Sequence, residues 1–289
     1  MSNYHTSVLL EEAVAFLSVK PDGLYIDCTL GGGGHTQRIL DSGGRVLAID
    51  ADAQAIDHAK PLLSQYQNLT LVRANFAHLG NIARSNHFEQ VDGILYDLGV
   101  SSHQLDTGDR GFSFDQDAPL DMRMDQTLSV TAADLVAALG SKELKQLLTR
   151  YGDEPAAGKI AEAIVRDRKT TPIRTTGQLA HLIEHTLRHH GHLHPATKVF
   201  QALRIAVNDE LHALEDSLVQ ALDLLKPAGR LVVISFHSGE DRLVKQFFRE
   251  LEAQHKVNLL TKKPEKPSPR ELATNPRSRS ARLRAVQKL

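Results

Sequence analysis

The chain has 289 residues, 41% of them hydrophobic and 24% charged, with a formal net charge of −1. That balance fits a soluble globular protein of one large or two modest domains and excludes a disordered or fibrous chain. A single cysteine, Cys28, rules out an intrachain disulfide and a cysteine-rich zinc site, and its place before a glycine loop reads as a small buried residue rather than a nucleophile. No apolar run approaches about eighteen residues, and Glu11 and Glu12 interrupt the stretch where a signal peptide would be apolar, so a cytoplasmic protein without a membrane segment is expected.

Taken in chain order, Val8, Leu9, Ala13, Phe16 and Leu17 recur at helical spacing and predict a helix that ends before Pro21 and Gly23. Leu24 to Thr29 reads as a strand running into Gly31 to Gly34, with a helix beginning near Thr36. Arg45 to Asp50 is a second strand, followed by a helix through Ala55, Ile56, Ala59, Leu62 and Leu63 and a third strand at Leu69 to Arg73. Val91 to Asp97 and, much later, Arg230 to Phe236 are the fourth and fifth. Strands alternating with helices predict an α/β fold with a doubly wound parallel sheet. Between strands four and five the rhythm stops for too long to be a structureless loop. Four helices are expected there, at Ala132 to Leu139, Ser141 to Tyr151, Glu154 to Asp167 and Thr176 to Arg188, before one long helix from Lys198 to Leu225.

In an open parallel sheet, ligands collect at the carboxyl ends of the strands. The glycine loop lets the backbone approach a ligand closely, and Asp50 ends the next strand, where a carboxylate can take both ribose hydroxyls. A dinucleotide fingerprint needs glycine where Thr36 stands, and the Gly-Lys-Ser/Thr of a P-loop is absent. An adenosine cofactor without phosphate, S-adenosylmethionine, fits what remains; a simple tight turn is the alternative, and an NAD-dependent oxidoreductase a weaker one.

Charge is unevenly spread. Residues 256–289 hold ten Lys and Arg against two Glu, whereas residues 92–125 hold eight Asp against two Arg. The basic end suits a polyanion such as RNA, or is a solvated tail. His181, His185, His189, His190, His192 and His194 lack companions at typical ligand spacing apart from Glu184 and read as surface residues, with no metal expected. Asp115, Asp117, Asp121 and Asp125 lack the fixed glycine and terminal glutamate of a calcium loop and read as loop caps and solvated charge.

Beyond these features, the sequence resembles the bacterial small-subunit (16S) ribosomal RNA cytosine-N4 methyltransferases over nearly its whole length. The resemblance begins at His5 and runs through Tyr25 to Thr36 (YIDCTLGGGGHT) and Ala48 to Asp52. It is densest at Asp92 to Asp125 (DGILYDLGVSSHQLDTGDRGFSFDQDAPLDMRMD) and resumes at His194 to Glu210, Ile234 to Arg242 and Asn275 to Arg284. It departs from the family's usual pattern at Gly32 and at Gly239, where a larger apolar residue is common. The resemblance implies a Rossmann-like class I methyltransferase sheet made from residues 1–104 and 196–289, with an inserted all-helical domain at 105–195 for RNA recognition. It further implies cofactor contacts at Gly33, Gly34, His35, Asp50, Phe76, Asp97 and Gln104, and methyl transfer from S-adenosylmethionine to the exocyclic N4 of a cytidine in the small ribosomal subunit. Acceptors of the Asp97 to Ser102 turn are expected to hold the amine, with His237 either helping to hold the base or relay the proton or only bonding its own turn in HSGED. Arg277, Arg279, Arg282 and Arg284 are expected to meet RNA phosphates, although SARLRAVQ also reads as a last strand. No obligatory protein partner is expected. The competing expectation is a non-catalytic ribosome-assembly factor that keeps the methyltransferase fold.

Overall fold

The computed structural model describes residues 7–187 and 194–289. His5, where the resemblance begins, Arg188 at the end of an expected helix, and His189, His190 and His192 lie outside the described residues. The elements in chain order are α1 (Leu10–Leu17), β1 (Leu24–Asp27), α2 (Gly34–Asp41), β2 (Arg45–Asp50), α3 (Ala53–Leu63), β3 (Leu69–Arg73), α4 (Leu79–Ser85), β4 (Val91–Asp97), α5 (Ser102–Asp106), α6 (Ala132–Ala138) and α7 (Ser141–Gly152). They continue with α8 (Ala157–Asp167), α9 (Thr176–Leu187), α10 (Thr197–Asn208), α11 (Glu210–Leu224), β5 (Leu225–Ser235), α12 (Ser238–Ala253), β6 (Val257–Leu259), α13 (Pro269–Thr274) and β7 (Arg282–Lys288). The chain divides into two compact units, Met1–Ser101 with Leu211–Leu289, and Ser102–Glu210. Among the described residues no helix is long and apolar enough to cross a membrane.

The first unit is a seven-stranded sheet in the order β3-β2-β1-β4-β5-β7-β6. Strands β1 to β5 pair in parallel, while β7 runs antiparallel to both β5 and β6. This is the mostly parallel, Rossmann-like sheet that the resemblance implies. The central strands read as near-continuous apolar runs because helices cover both faces. Successive residues alternate between those faces: Ile26, Ile94, Tyr96 and Val233 pack with Leu79, Leu218 and Phe248, whereas Tyr25, Val46, Leu95 and Val232 pack with Leu9, Ile39 and Ile56. Strand β6, only three residues long, has no sign in the hydrophobic pattern.

The second unit is helical, with α7 packed on α8 and α10, α9 on α8, and α6 on α10. The long helix expected from Lys198 to Leu225 is two helices, broken where Asp209 takes a left-handed φ of 50°. Asn and Asp tolerate that conformation, and Asn208 stabilises the break: its Nδ2 donates to Met122 O (2.8 Å) and its Oδ1 accepts from Met124 N (2.7 Å). Residues 102–104 and 196–210, which the sequence reading assigns to the sheet domain, fall in this unit, because α10 buries Val199, Phe200 and Leu203 in its helical packing. The dense motif of the sequence builds the long loop before α6. Arg110 is buried and donates to the carbonyls of Arg123 and Met124. Gly111 has φ 71°, and a Cβ there would lie 2.3 Å from Pro119 O. Three of the four loop acids serve local partners: Asp121 chelates Arg123, Asp117 accepts from Gly177 N, and Asp125 accepts from Thr127 N. His194 stacks on Phe114 and pairs with Glu184 at 2.7 Å, while His181 and His185 are exposed on α9.

Candidate active site

Three neighbouring parallel strands, β2, β1 and β4, each end in an aspartate: Asp50, Asp27 and Asp97. The crossover direction reverses between β1 and β4, which is where such sheets bind ligands. The sequence reading singles out Asp50 and Asp97 and misses Asp27, although the same signal, an acid closing an apolar run, marks all three.

Asp27 is fully buried. Its carboxylate accepts from Thr36 Oγ1 (2.7 Å) and Thr29 N (3.1 Å), tying the end of β1 to the first turn of α2 across the glycine loop. Burial pushes this carboxyl up from its ordinary value, and the nearby His35 and the two hydrogen bonds pull the other way.

In the loop, Gly31 and Gly33 have φ of 50° and 80°, a region that L side chains rarely adopt. A side chain at Gly34 would meet Ser7 Oγ at 2.2 Å, so the N-terminal segment crosses directly against this residue. A Cβ at Gly31 meets only Thr29 O, at 3.9 Å, which leaves the loop open on that side. Gly31 N donates to Asp50 Oδ2 and Asp52 N to Asp50 Oδ1, both at 2.8 Å. Each oxygen keeps a second lone pair, and together they offer two acceptors to a vicinal diol. Removal from water pushes the Asp50 carboxyl up to about 6, against the two amides. Phe76 follows β3, half-buried, its ring edge-on to Tyr96 at 5.6 Å. This geometry fits an adenosine bearing no phosphate: a diol acceptor, a partly exposed ring after the next strand, and an open glycine loop at a helix start.

Asp97 is held from two sides. Its backbone amide donates to Thr29 Oγ1 at 2.6 Å, and its Oδ2 lies 3.5 Å from His35 Nδ1. His35 Nε2 lies 3.1 Å from Val8 O, so the imidazole bridges the N-terminal segment and the end of β4. The next residue of that segment, Leu9, donates its amide to Glu271 Oε1 of α13 at 2.8 Å. Gln104, also expected at the cofactor, belongs to α5 of the second unit, where it is buried.

Two expectations need correction. His237 is the N-cap of α12: Nδ1 accepts from Gly239 N and Glu240 N, and Nε2 lies 3.2 Å from Glu240 Oε1. Glu240 in turn accepts from the amides of Phe236 and His237, completing a reciprocal cap. Nδ1 is therefore committed to the residue's own turn, and Nε2 makes no hydrogen bond among the described residues and lies against Glu240. Gly239 leaves room for this arrangement, since a Cβ there would approach the ring to 3.1 Å. In β7, Arg284 is buried and donates to Asp241 through Nε (2.7 Å) and Nη2 (3.3 Å), while Arg282 donates to the same carboxylate (2.9 Å). A buried, ion-paired Arg284 cannot serve a phosphate, and Arg282 is half committed; Arg277 and Arg279 are exposed on the short helix before β7. Cys28 is buried and its thiol is pushed well up by burial, as suits a packing residue.

The model of the MraW methylase family matches residues 2–289. Relatives named ribosomal RNA small subunit methyltransferase H include one from Thermomicrobium roseum, 48% identical over 100% of this chain and 95% of its own length. Another from Paenibacillus sp. is 47% identical over 99% of each chain, and a third, from Brevibacillus brevis, is 44% identical over 100% of this chain and 99% of its own. With a match that runs to the last residue and full-length relatives at this identity, the chain belongs to the MraW methylase family.

Proposed function

We propose that the protein transfers the methyl group of S-adenosylmethionine to the exocyclic N4 of a cytidine in small-subunit (16S) ribosomal RNA. The observation that carries this reading is the full-length similarity to relatives named for methylating that RNA, joined to a strand-end site whose three aspartates and glycine loop suit adenosine and an amine.

S-adenosylmethionine, when bound, supplies a methyl group on a sulfonium that leaves as a neutral thioether. The residues of the chain supply placement. Asp50 takes the ribose hydroxyls on its spare lone pairs, the half-exposed Phe76 ring packs on the adenine, and the loop of Gly31, Gly33 and Gly34 with the first turn of α2 receives the amino-acid end. Gln104 is assigned to the same cofactor. Asp97 accepts a hydrogen bond from the target amine, whose lone pair is otherwise delocalised into the ring, and turns that lone pair toward the methyl carbon. As the N–C bond forms and the S–C bond breaks, the surplus amine proton passes to Asp97 and on to solvent. Orientation of this kind, in a site already arranged before reaction, carries most of the rate. The cytidine must be unstacked to reach a strand-end pocket, so recognition falls on single-stranded or splayed RNA.

For the RNA backbone we assign the segment between β6 and β7. Lys262, Lys263, Lys266, Arg270, Arg277 and Arg279 are all exposed on it, whereas one of its two acids, Glu271, is engaged with Leu9. The helical unit is assigned to the rest of the RNA, and the reaction to the cytoplasm.

The test is transfer of labelled methyl to small subunits lacking the modification, followed by nucleoside digestion and mass identification. Label in N4-methylcytidine is expected. Cofactor binding with no label in subunits or naked RNA would overturn the reading in favour of a non-catalytic assembly factor.

A further inference from the structure

We infer that the His35 side chain is a positioning residue that holds the Asp97 carboxylate in place for the target amine, rather than a ligand of the cofactor. The inference rests on the function proposed above. His35 is 4% exposed, second in α2, and its ring reaches two groups on different segments. Val8 O, 3.1 Å from Nε2, can only accept, so Nε2 carries a hydrogen. Nδ1 faces Asp97 Oδ2 at 3.5 Å. The contact is longer than a hydrogen bond and within ion-pair range, and it is attractive when Nδ1 carries a hydrogen.

The surroundings support this arrangement. Asp27, at the end of β1, is the other acid that feels His35, and its own oxygens are already engaged by Thr36 and Thr29. The ring thus sits between two acids, and Asp97 is the one it faces directly. Thr29 holds the backbone amide of Asp97, and His35 is the side chain that approaches its carboxylate from the first turn of α2. Misplacing a group that orients substrate by about 1 Å can cost about 100-fold in rate.

Two substitutions separate positioning from mere packing, because the asparagine amide nitrogen reaches where Nδ1 lies and the glutamine nitrogen reaches where Nε2 lies. His35→Asn keeps a donor to Asp97 and loses Val8; His35→Gln keeps Val8 and loses Asp97. The expected order of kcat on modification-free subunits is wild type, then His35→Asn about 10-fold lower, then His35→Gln about 100-fold lower, with S-adenosylmethionine affinity by calorimetry within about threefold for both. An order with His35→Gln equal to or above His35→Asn, or a loss of cofactor affinity matching the loss of kcat, would overturn the inference. Imidazole nitrogen-15 spectra of the free protein give a reading independent of activity: Asp97→Asn should move the His35 Nδ1 resonance and leave Nε2 in place, and an unmoved Nδ1 resonance would overturn the contact. Wild-type protein that forms no N4-methylcytidine would refute the proposed function instead, with the spectra still deciding the His35 contact.

Discussion

Arg284 and Asp241 form a buried ion pair that joins the start of β7 to the first turn of α12, and Arg282 donates to the same carboxylate from the open side. Burial alone would raise the Asp241 carboxyl, but the two guanidiniums outweigh it and hold the group below the ordinary range. Asp241→Ala should lower stability to denaturant by about 3 kcal/mol, the low end for breaking a buried pair because Arg282 keeps the cluster in contact with water. A depressed carboxyl contributes stability above its unfolded value, near 3.9, and loses it as pH falls through the folded value. The difference between wild type and Asp241→Ala in urea unfolding should therefore be full at pH 7 and shrink below about pH 4. An equal difference at pH 7 and pH 3 would refute the assignment.

Asp50 bears on ligand binding in the opposite sense. Its carboxyl is pushed up to about 6, and ribose hydroxyls donate best to the ionised form. Affinity for S-adenosylmethionine should be constant above pH 7 and weaken as pH falls through 6, approaching about tenfold per pH unit below it. S-adenosylhomocysteine has the same ribose and should show the same dependence in calorimetry. Flat affinity from pH 7.5 to 5 for both would remove Asp50 from the ribose contact.

Charge removal on the segment between β6 and β7 should act on RNA alone. Lys262→Ala with Lys263→Ala and Lys266→Ala should flatten the dependence of log affinity on log salt by about 0.7 for each phosphate of single-stranded RNA that is no longer neutralised. Cofactor affinity and thermal midpoint should be unchanged. Arg284→Ala should do the reverse, lowering the midpoint while leaving the salt slope as it was. Filter binding at several salt concentrations distinguishes the two.

Gly111 tests the loop that the most distinctive part of the sequence builds. Its φ of 71° and the backbone atoms Pro119 O and Asp121 N, 2.3 and 2.8 Å from an added Cβ, leave no flexible neighbour to give way. Gly111→Ala should cost about 3 kcal/mol from strain and overpacking together. Calorimetric melting should show a midpoint about 10 °C lower.

The parallel strands were legible because both of their faces are apolar, and Asp50 and Asp97 because each closes such a run. Asp27 does so too, but its partners Thr29 and Thr36 lie on either side of the glycine loop and meet it only once the loop is folded. His35 was legible as a loop residue but its ring's task was not, since Val8 and Asp97 come from segments on either side of it in sequence. The contact of Leu9 with Glu271 spans 262 positions, beyond any local pattern. Arg284 misleads because charge in a sequence names no partner: the same composition that suggests phosphate contacts is consumed in part by a single buried aspartate on α12. The reciprocal cap of His237 and Glu240 was visible in spacing, but histidine at the cap position is chemically ambiguous until both ring nitrogens are placed.

Strand β4 pairs directly with β5, and the whole of the helical unit is encoded between them. During synthesis the helical unit therefore leaves the ribosome as one continuous stretch, able to collapse on local contacts, while β4 waits as an open edge. The sheet finishes only when β5 and then β7 emerge. The entropy of closing so long a connection grows only logarithmically with its length, so the early presence of a folded insert helps by shortening the effective loop. Until then β4, paired with β1 on one side, exposes its other edge to neighbouring chains, which makes the interval between β4 and β5 the stage of synthesis most open to edge-to-edge association.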